Sequence, residues 1–264
     1  MTFTPRPAWT PSSTVTLAPG QYGTQVTFQS EDGQKLVGYF YPSWKPSAPV
    51  VILMHEFGNS QAGWKESAII PWMQNWGALA PSGKQYSYAG GRLPQMPKEL
   101  SFGVFTLDFR GHGESIPAPY TTDPDQLAAE FLMDARAAYA IARTIPGVDS
   151  NHLIGIGTSI GADAVVAACG EGCSGAFSVS PVDWLKVDYG NTVRALIAQG
   201  KPVRCMYAVN DPPSPQTCLS LTPNKLYKVY SFPGIKHGMT FFVPRKMEAE
   251  FGANLLEFLQ VASL

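Results

Sequence analysis

Two spacings of apolar residues alternate along the chain. Thr24–Gln29 and Lys35–Tyr41 are runs rich in β-branched and aromatic residues on either side of Ser30-Glu31-Asp32-Gly33, a turn-forming cluster, and this predicts an antiparallel hairpin. Pro49–Met54 is apolar throughout, as a strand covered on both faces must be, and it runs into His55-Glu56-Phe57-Gly58. Gln61–Trp76 then predicts a helix with Trp64, Ile69, Ile70, Trp72, Met73 and Trp76 on its apolar face. Ala78–Pro97 breaks every period with Gly, Pro, Ser and Tyr. It reads either as a pocket-lining excursion bearing Tyr86 and Tyr88 or as a plain surface loop. Phe102–Leu107 is the next buried strand. Asp123-Pro124-Asp125-Gln126 opens a helix whose Leu127, Phe131, Leu132, Ala135, Tyr139 and Ala142 recur at helical spacing until Pro146-Gly147. Strands follow at Leu153–Ile156, Ala176–Ser180, Val203–Val209 and Leu226–Phe232. Helices are expected from Ala162, at Thr192–Gln199 and from Pro244, the last with Met247, Phe251, Leu255 and Phe258 facing inward. Helices alternating with strands imply a mainly parallel sheet, entered through the hairpin.

Within that alternation, His152–Val166 reads HLIGIGTSIGADAVV: a strand, a tight turn at Gly157-Thr158-Ser159-Ile160-Gly161, and a helix. A serine at such a turn projects its hydroxyl from the sheet edge with a helix N-terminus behind it. A serine that merely caps the helix fits the same letters. A dinucleotide turn through Gly155, Gly157 and Gly161 has the wrong spacing and leaves Ser159 without a role.

Composition narrows the chemistry. The chain has 264 residues, a formal net charge of -1 and 15% charged residues, so it fits one domain and carries no basic field for nucleic acid. The partner expected is therefore a small, weakly charged molecule. No apolar run approaches the roughly 18 residues of a membrane span. Residues 1–20, rich in Thr and Pro, read as an extended leader before a single domain at 21–264, within which 78–98 is an irregular insertion. Cys169, Cys173, Cys205 and Cys218 form two pairs close in sequence. Two disulfides, Cys169–Cys173 and Cys205–Cys218, would place the chain in a secreted or periplasmic setting, and four free thiols in the cytoplasm. His55-Glu56 is not a zinc motif, because Asn59 stands where the second histidine would fall, and no metal or other cofactor is expected.

A serine hydroxyl needs a base to take its proton and an acid to orient that base. In the order serine, acid, histidine that accompanies an elbow, the base must follow Ser159, and His237 is the histidine that does. Of the carboxylates between them, Asp211 directly follows the strand Val203–Val209 and is the chosen acid, with Asp183 as runner-up. Two N–H groups, those of Ile160 and Phe57, are expected to hold the oxyanion. Glu56, Trp184 and Met239 are expected around the substrate. Glu56 is an awkward neighbour for an oxyanion and is expected to be paired or turned away, toward Arg110 or His55.

Ser159 in GTSIG, Asp211, His237, HEFG and Asp108-Phe109-Arg110-Gly111-His112-Gly113-Glu114-Ser115 together resemble the α/β-hydrolase superfamily over nearly all of Thr24–Leu259. The chain is most similar to its compact branch of dienelactone-hydrolase-like esterases and prolyl-oligopeptidase-type catalytic domains. The resemblance implies an eight-stranded, mainly parallel sheet with an antiparallel N-terminal hairpin, helices on both faces and no large cap domain. Ser159 stands where the dienelactone group would carry cysteine, so the resemblance implies ordinary ester hydrolysis, of small or medium acyl chains, by a monomer or dimer. A peptidase, amidase, thioesterase or polyester hydrolase on the same triad, or a non-catalytic binding protein of this fold, are the other readings.

Overall fold

The computed structural model describes residues 23–79, 87–116 and 121–264; the leader 1–20 and Tyr86 lie outside them. Eight strands, β1 (Thr24–Gln29), β2 (Lys35–Tyr41), β3 (Ala48–Met54), β4 (Gly103–Asp108), β5 (Val148–Thr158), β6 (Cys173–Val179), β7 (Val203–Ala208) and β8 (Tyr227–Phe232), form one sheet in the order β1-β2-β4-β3-β5-β6-β7-β8. The hairpin β1–β2 joins antiparallel to β4, and every pairing from β4 to β8 is parallel. The architecture is the one expected: β3, β4, β6, β7 and the second half of β5 are buried on both faces, as strands covered by helices on either side must be.

Helices α3 (Pro124–Ala142), α4 (Ile160–Ala167) and α5 (Tyr189–Ala198) cover one face of the sheet. Helices α1 (Gln61–Glu66), α2 (Ile69–Gln74) and α7 (Ala249–Ala262) cover the other. A short helix, α6 (Ser214–Cys218), follows β7. The chain between β6 and β7 consists of the loop 180–188, α5 and a turn, too little for a cap domain.

Three expected elements differ. The helix expected over Gln61–Trp76 is broken into α1 and α2. Ser67 Oγ donates to the Trp64 carbonyl, Ala68 takes φ +63°, and Pro71, which has no N–H for a continuous helix, falls in the first turn of α2. The last helix starts at Ala249 rather than Pro244. Val243 is extended before that proline, and Met247 is buried upstream of the helix. β5 begins at Val148, so His152 lies inside the strand, its Nδ1 2.7 Å from Asp149 Oδ2. Residues 93–100 pack down rather than standing free. Trp72 Nε1 donates to Pro94 O at 2.7 Å, Asn75 Nδ2 to Pro97 O at 2.9 Å and Leu100 O at 2.8 Å, and Leu93 and Met96 are buried.

Candidate active site

Ser159 stands between β5 and α4 with φ +53° and ψ −118°, a conformation that costs an L-residue energy and persists only where its surroundings enforce it. They do so through two glycines. A Cβ on Gly157 would lie 2.0 Å from the Gly161 carbonyl oxygen, and one on Gly161 would lie 2.3 Å from that of Met54. Helix α4 therefore starts in contact with the ends of β5 and β3. The Ser159 N–H donates to Val179 O at 2.9 Å, pinning the turn to β6. Ile160 is the first residue of α4, where backbone N–H groups have no intrahelical acceptor.

The register that sets Met54 beside Gly157 brings the HEFG loop up next to the elbow. Two histidines hold this loop. His55 is fully buried: its Nδ1 donates to Glu56 O at 2.7 Å, its Nε2 accepts the Phe109 N–H at 3.1 Å, and burial pushes its pKa down to about 3, so it is a neutral strut. His112 Nε2 accepts the Gly58 N–H at 3.0 Å and its Nδ1 contacts Arg110 O at 3.0 Å; burial lowers its pKa as well. Asp108 links the two turns, accepting the Gln61 N–H at 2.7 Å and the Glu114 N–H at 2.9 Å.

Asp211 leaves β7 and His237 leaves β8, adjacent parallel strands. His237 Nδ1 lies 2.9 Å from each carboxylate oxygen of Asp211, and Ser214 Oγ donates to Asp211 Oδ2 at 3.2 Å. Asp211 is buried and His237 half-exposed, so the pair faces solvent through the ring. Asp183 sits instead in the loop after β6, with φ +53°. Among the described residues no hydrogen bond joins Ser159 Oγ to His237; such contacts are commonly long before substrate binds.

Phe57 is exposed, with its ring 5.1 Å from His112, 6.3 Å from Phe131 and 6.4 Å from Trp184, an aromatic wall beside the elbow. Met239 and Glu56 line a separate cavity of about 420 Å³ together with Asn59, Phe242, Val243 and Pro244. Glu56 is paired, as the sequence implies, but with neither Arg110 nor the His55 ring. Arg110 is taken by Asp134, at 2.7 Å, and Asp32, at 2.7 Å, which tie the hairpin turn to α3. The Glu56 carboxylate accepts the Met239 N–H instead. The structure joins Cys169 to Cys173 and Cys205 to Cys218, the second bond linking β7 to α6 on either side of Asp211.

No protein-family model matches the chain. Curated relatives include the uncharacterized protein YfhR of Escherichia coli O157:H7, 27% identical over 149 residues, and its counterpart in Salmonella typhi, 26% identical over 153 residues. Each match covers 56% of this chain and 42% of the relative, so the chain spans about two fifths of those proteins. Solved structures match far more completely. The esterase Pf2001 of Pyrococcus furiosus superposes with TM-score 0.61 at 16% identity over 97% of this chain and 98% of its own. The α/β hydrolase GrgF of Penicillium sp. sh18 gives 0.58 at 16% over 91% and 98%. Acetyl xylan esterase 1 of Thermoanaerobacterium sp. gives 0.58 at 14% over 95% and 87%. The chain has the α/β-hydrolase fold.

On the α/β-hydrolase fold, Asp163 adds a contact that local sequence does not announce. One turn into α4, its carboxylate accepts the N–H groups of Val182 at 3.1 Å and Trp184 at 2.9 Å, which anchors the loop carrying the Trp184 ring. Burial raises its pKa to about 7. Its helical spacing in the sequence marks only a buried face. No helix among the described residues is long and apolar enough to cross a membrane.

Proposed function

We propose that the protein is a serine hydrolase of carboxylic esters. The observation that carries this reading is the pairing of His237 with both oxygens of a buried Asp211, beside a strained elbow serine at the same edge of the sheet. Ser159 Oγ attacks the ester carbonyl while His237 Nε2 takes its proton. Asp211 keeps Nδ1 protonated and stabilises the imidazolium that forms. The N–H groups of Phe57 and Ile160 hold the negative charge of the tetrahedral intermediate. Its collapse expels the alcohol, which receives the proton from His237, and leaves an acyl-Ser159 ester. Water, deprotonated by His237, then releases the acid and frees the serine. None of these steps calls for a metal or an organic cofactor.

Esters rather than amides are favoured by the neighbours on this fold, several of which are named as esterases. The aromatic wall of Phe57 and Trp184 suits a small or medium acyl chain.

Hydrolysis of p-nitrophenyl acetate, butyrate and octanoate by the wild type and Ser159→Ala, with intact mass after fluorophosphonate treatment, tests the reading. The wild type is expected to turn over and gain one adduct; Ser159→Ala is expected to lose at least about 10⁴ in kcat and all labelling. Turnover of aminoacyl amides in preference to esters would redirect the assignment to a peptidase. Neither turnover nor labelling of the wild type would leave a non-catalytic binding protein.

A further inference from the structure

Glu56 is the residue that this mechanism leaves unexplained, since an anion one position before an oxyanion donor opposes the charge the site must hold. Its carboxylate reaches across to the loop after β8. Glu56 Oε2 accepts the backbone N–H of Met239 at 2.8 Å, while Asn59 Nδ2 lies 3.4 Å from Oε1. The contact is close at the residue between His237 and Met239: a Cβ on Gly238, which has φ +48°, would lie 1.9 Å from Glu56 Oε2. Glycine at 238 is thus what lets the carboxylate reach the backbone. The bond joins residues 183 apart in sequence, on the exits of β3 and β8, which are separated in the sheet by β5, β6 and β7. On the other side of the same peptides, the Thr240 N–H and hydroxyl both donate to the His237 carbonyl, at 3.0 and 2.6 Å. The His237 backbone is therefore tied at its carbonyl by its own turn, and two residues on by Glu56.

We propose that Glu56 is a positioning residue for His237, an inference that rests on the hydrolase reading above. It braces the loop of the base against the loop of the oxyanion donor, so that both keep one distance from Ser159. The carboxylate is needed as an acceptor for the Met239 N–H and not as a ligand for substrate. A base displaced by about 1 Å loses on the order of 10²-fold in rate while ground-state binding is spared. Loss of the brace should therefore appear in kcat and not in KM.

The test compares wild type, Glu56→Ala and Glu56→Gln by amide hydrogen exchange at Met239 and by kcat and KM for p-nitrophenyl butyrate. Glu56→Ala is expected to speed Met239 exchange at least about tenfold and to lower kcat by about 10- to 100-fold, with KM within about twofold. Glu56→Gln keeps a carbonyl acceptor at the same reach, and should restore both exchange and kcat to within about threefold. If Glu56→Ala does not fold, Glu56→Asp, shorter by one methylene, takes its place with the same expectation. Unchanged Met239 exchange overturns the brace; faster exchange with unchanged kcat overturns its positioning role, as does a loss confined to KM. If the wild type itself neither turns over nor labels, the hydrolase reading falls, and the positioning role falls with it; Met239 exchange then shows separately whether the contact itself exists.

Discussion

The elbow that carries Ser159 is built from its own neighbours: Gly157 and Gly161 lie two residues to either side, and α4 begins at the next residue. The loop that carries His237 borrows its supports, from Asp211, 26 residues upstream of His237, and from Glu56, 183 residues upstream of Met239. The first arrangement stores backbone strain that local sterics enforce; the second stores almost none and depends on two carboxylates arriving from other strands. Damage to the elbow should therefore unfold or distort the sheet, whereas damage to the histidine loop should leave a folded protein with a misplaced His237.

The sharpest separation is expected from Asp211→Asn. It keeps the shape of the acid but favours the wrong imidazole tautomer, and kcat should fall by roughly 10⁴, about 5.5 kcal/mol, with an unchanged melting curve. A fall below tenfold would move the acid elsewhere. Gly161→Ala should do the reverse. Its Cβ meets the Met54 and His55 carbonyls at 2.3 and 2.7 Å, so denaturant titration should show a loss of about 4 kcal/mol or more, or no folded protein. Wild-type stability in that variant would mean that α4 can move away from β3. Replacing both Cys205 and Cys218 by serine opens the link around Asp211, whose cysteines are 13 residues apart, and should cost about 3 kcal/mol of stability to guanidinium. A cost below about 1 kcal/mol would show that the loop is held without it.

Per unit of change the smallest effect is one of pH. Asp163 has its folded pKa raised to about 7, above its value near 3.8 when unfolded, so between those limits the native state binds the proton and the unfolded chain does not. Acidification from pH 7 to 4 therefore stabilises through Asp163 by about 1.4 kcal/mol per pH unit, and that contribution is lost as pH rises through 7. His55, with its folded pKa depressed to about 3, works the other way: below 6.5 the unfolded chain takes the proton first, and stability falls as pH falls. Asp163→Asn should remove the first effect and leave the second. Urea melts from pH 7 to 4 should then show the variant losing ground to wild type by about 1.4 kcal/mol per unit, and parallel curves would deny Asp163 its raised pKa.

The difference between elbow and histidine loop also explains what sequence alone revealed. Apolar runs such as Pro49–Met54 and Val203–Val209 are strands because nothing else buries them, and the glycines around Ser159 announce the turn within five residues. The order of residues along the chain was enough to single out Asp211 and His237, two side chains that lie in hydrogen-bond contact, while the roles assigned to them are part of the proposal. The Glu56 contact escaped because its partner is a backbone N–H, which every non-proline residue offers and no letter marks. Asp163 escaped for the same reason, its acceptors being spent on the N–H groups of Val182 and Trp184. The break between α1 and α2 was legible in Pro71, but the run of tryptophans and isoleucines around it imitates a continuous apolar face.

The candidate base leaves the sheet from β8, the outermost strand on its side and the last of the eight along the chain. If Ser159, Asp211 and His237 act as proposed, the nucleophile therefore emerges during synthesis on a chain that has as yet neither acid nor base, and such an unfinished chain is silent toward esters. On the reading proposed above, a fluorophosphonate adduct on Ser159 then counts molecules in which the sheet has closed out to β8. The reagent that titrates active sites is at the same time a census of completed folding, one that half-made or edge-frayed chains do not enter.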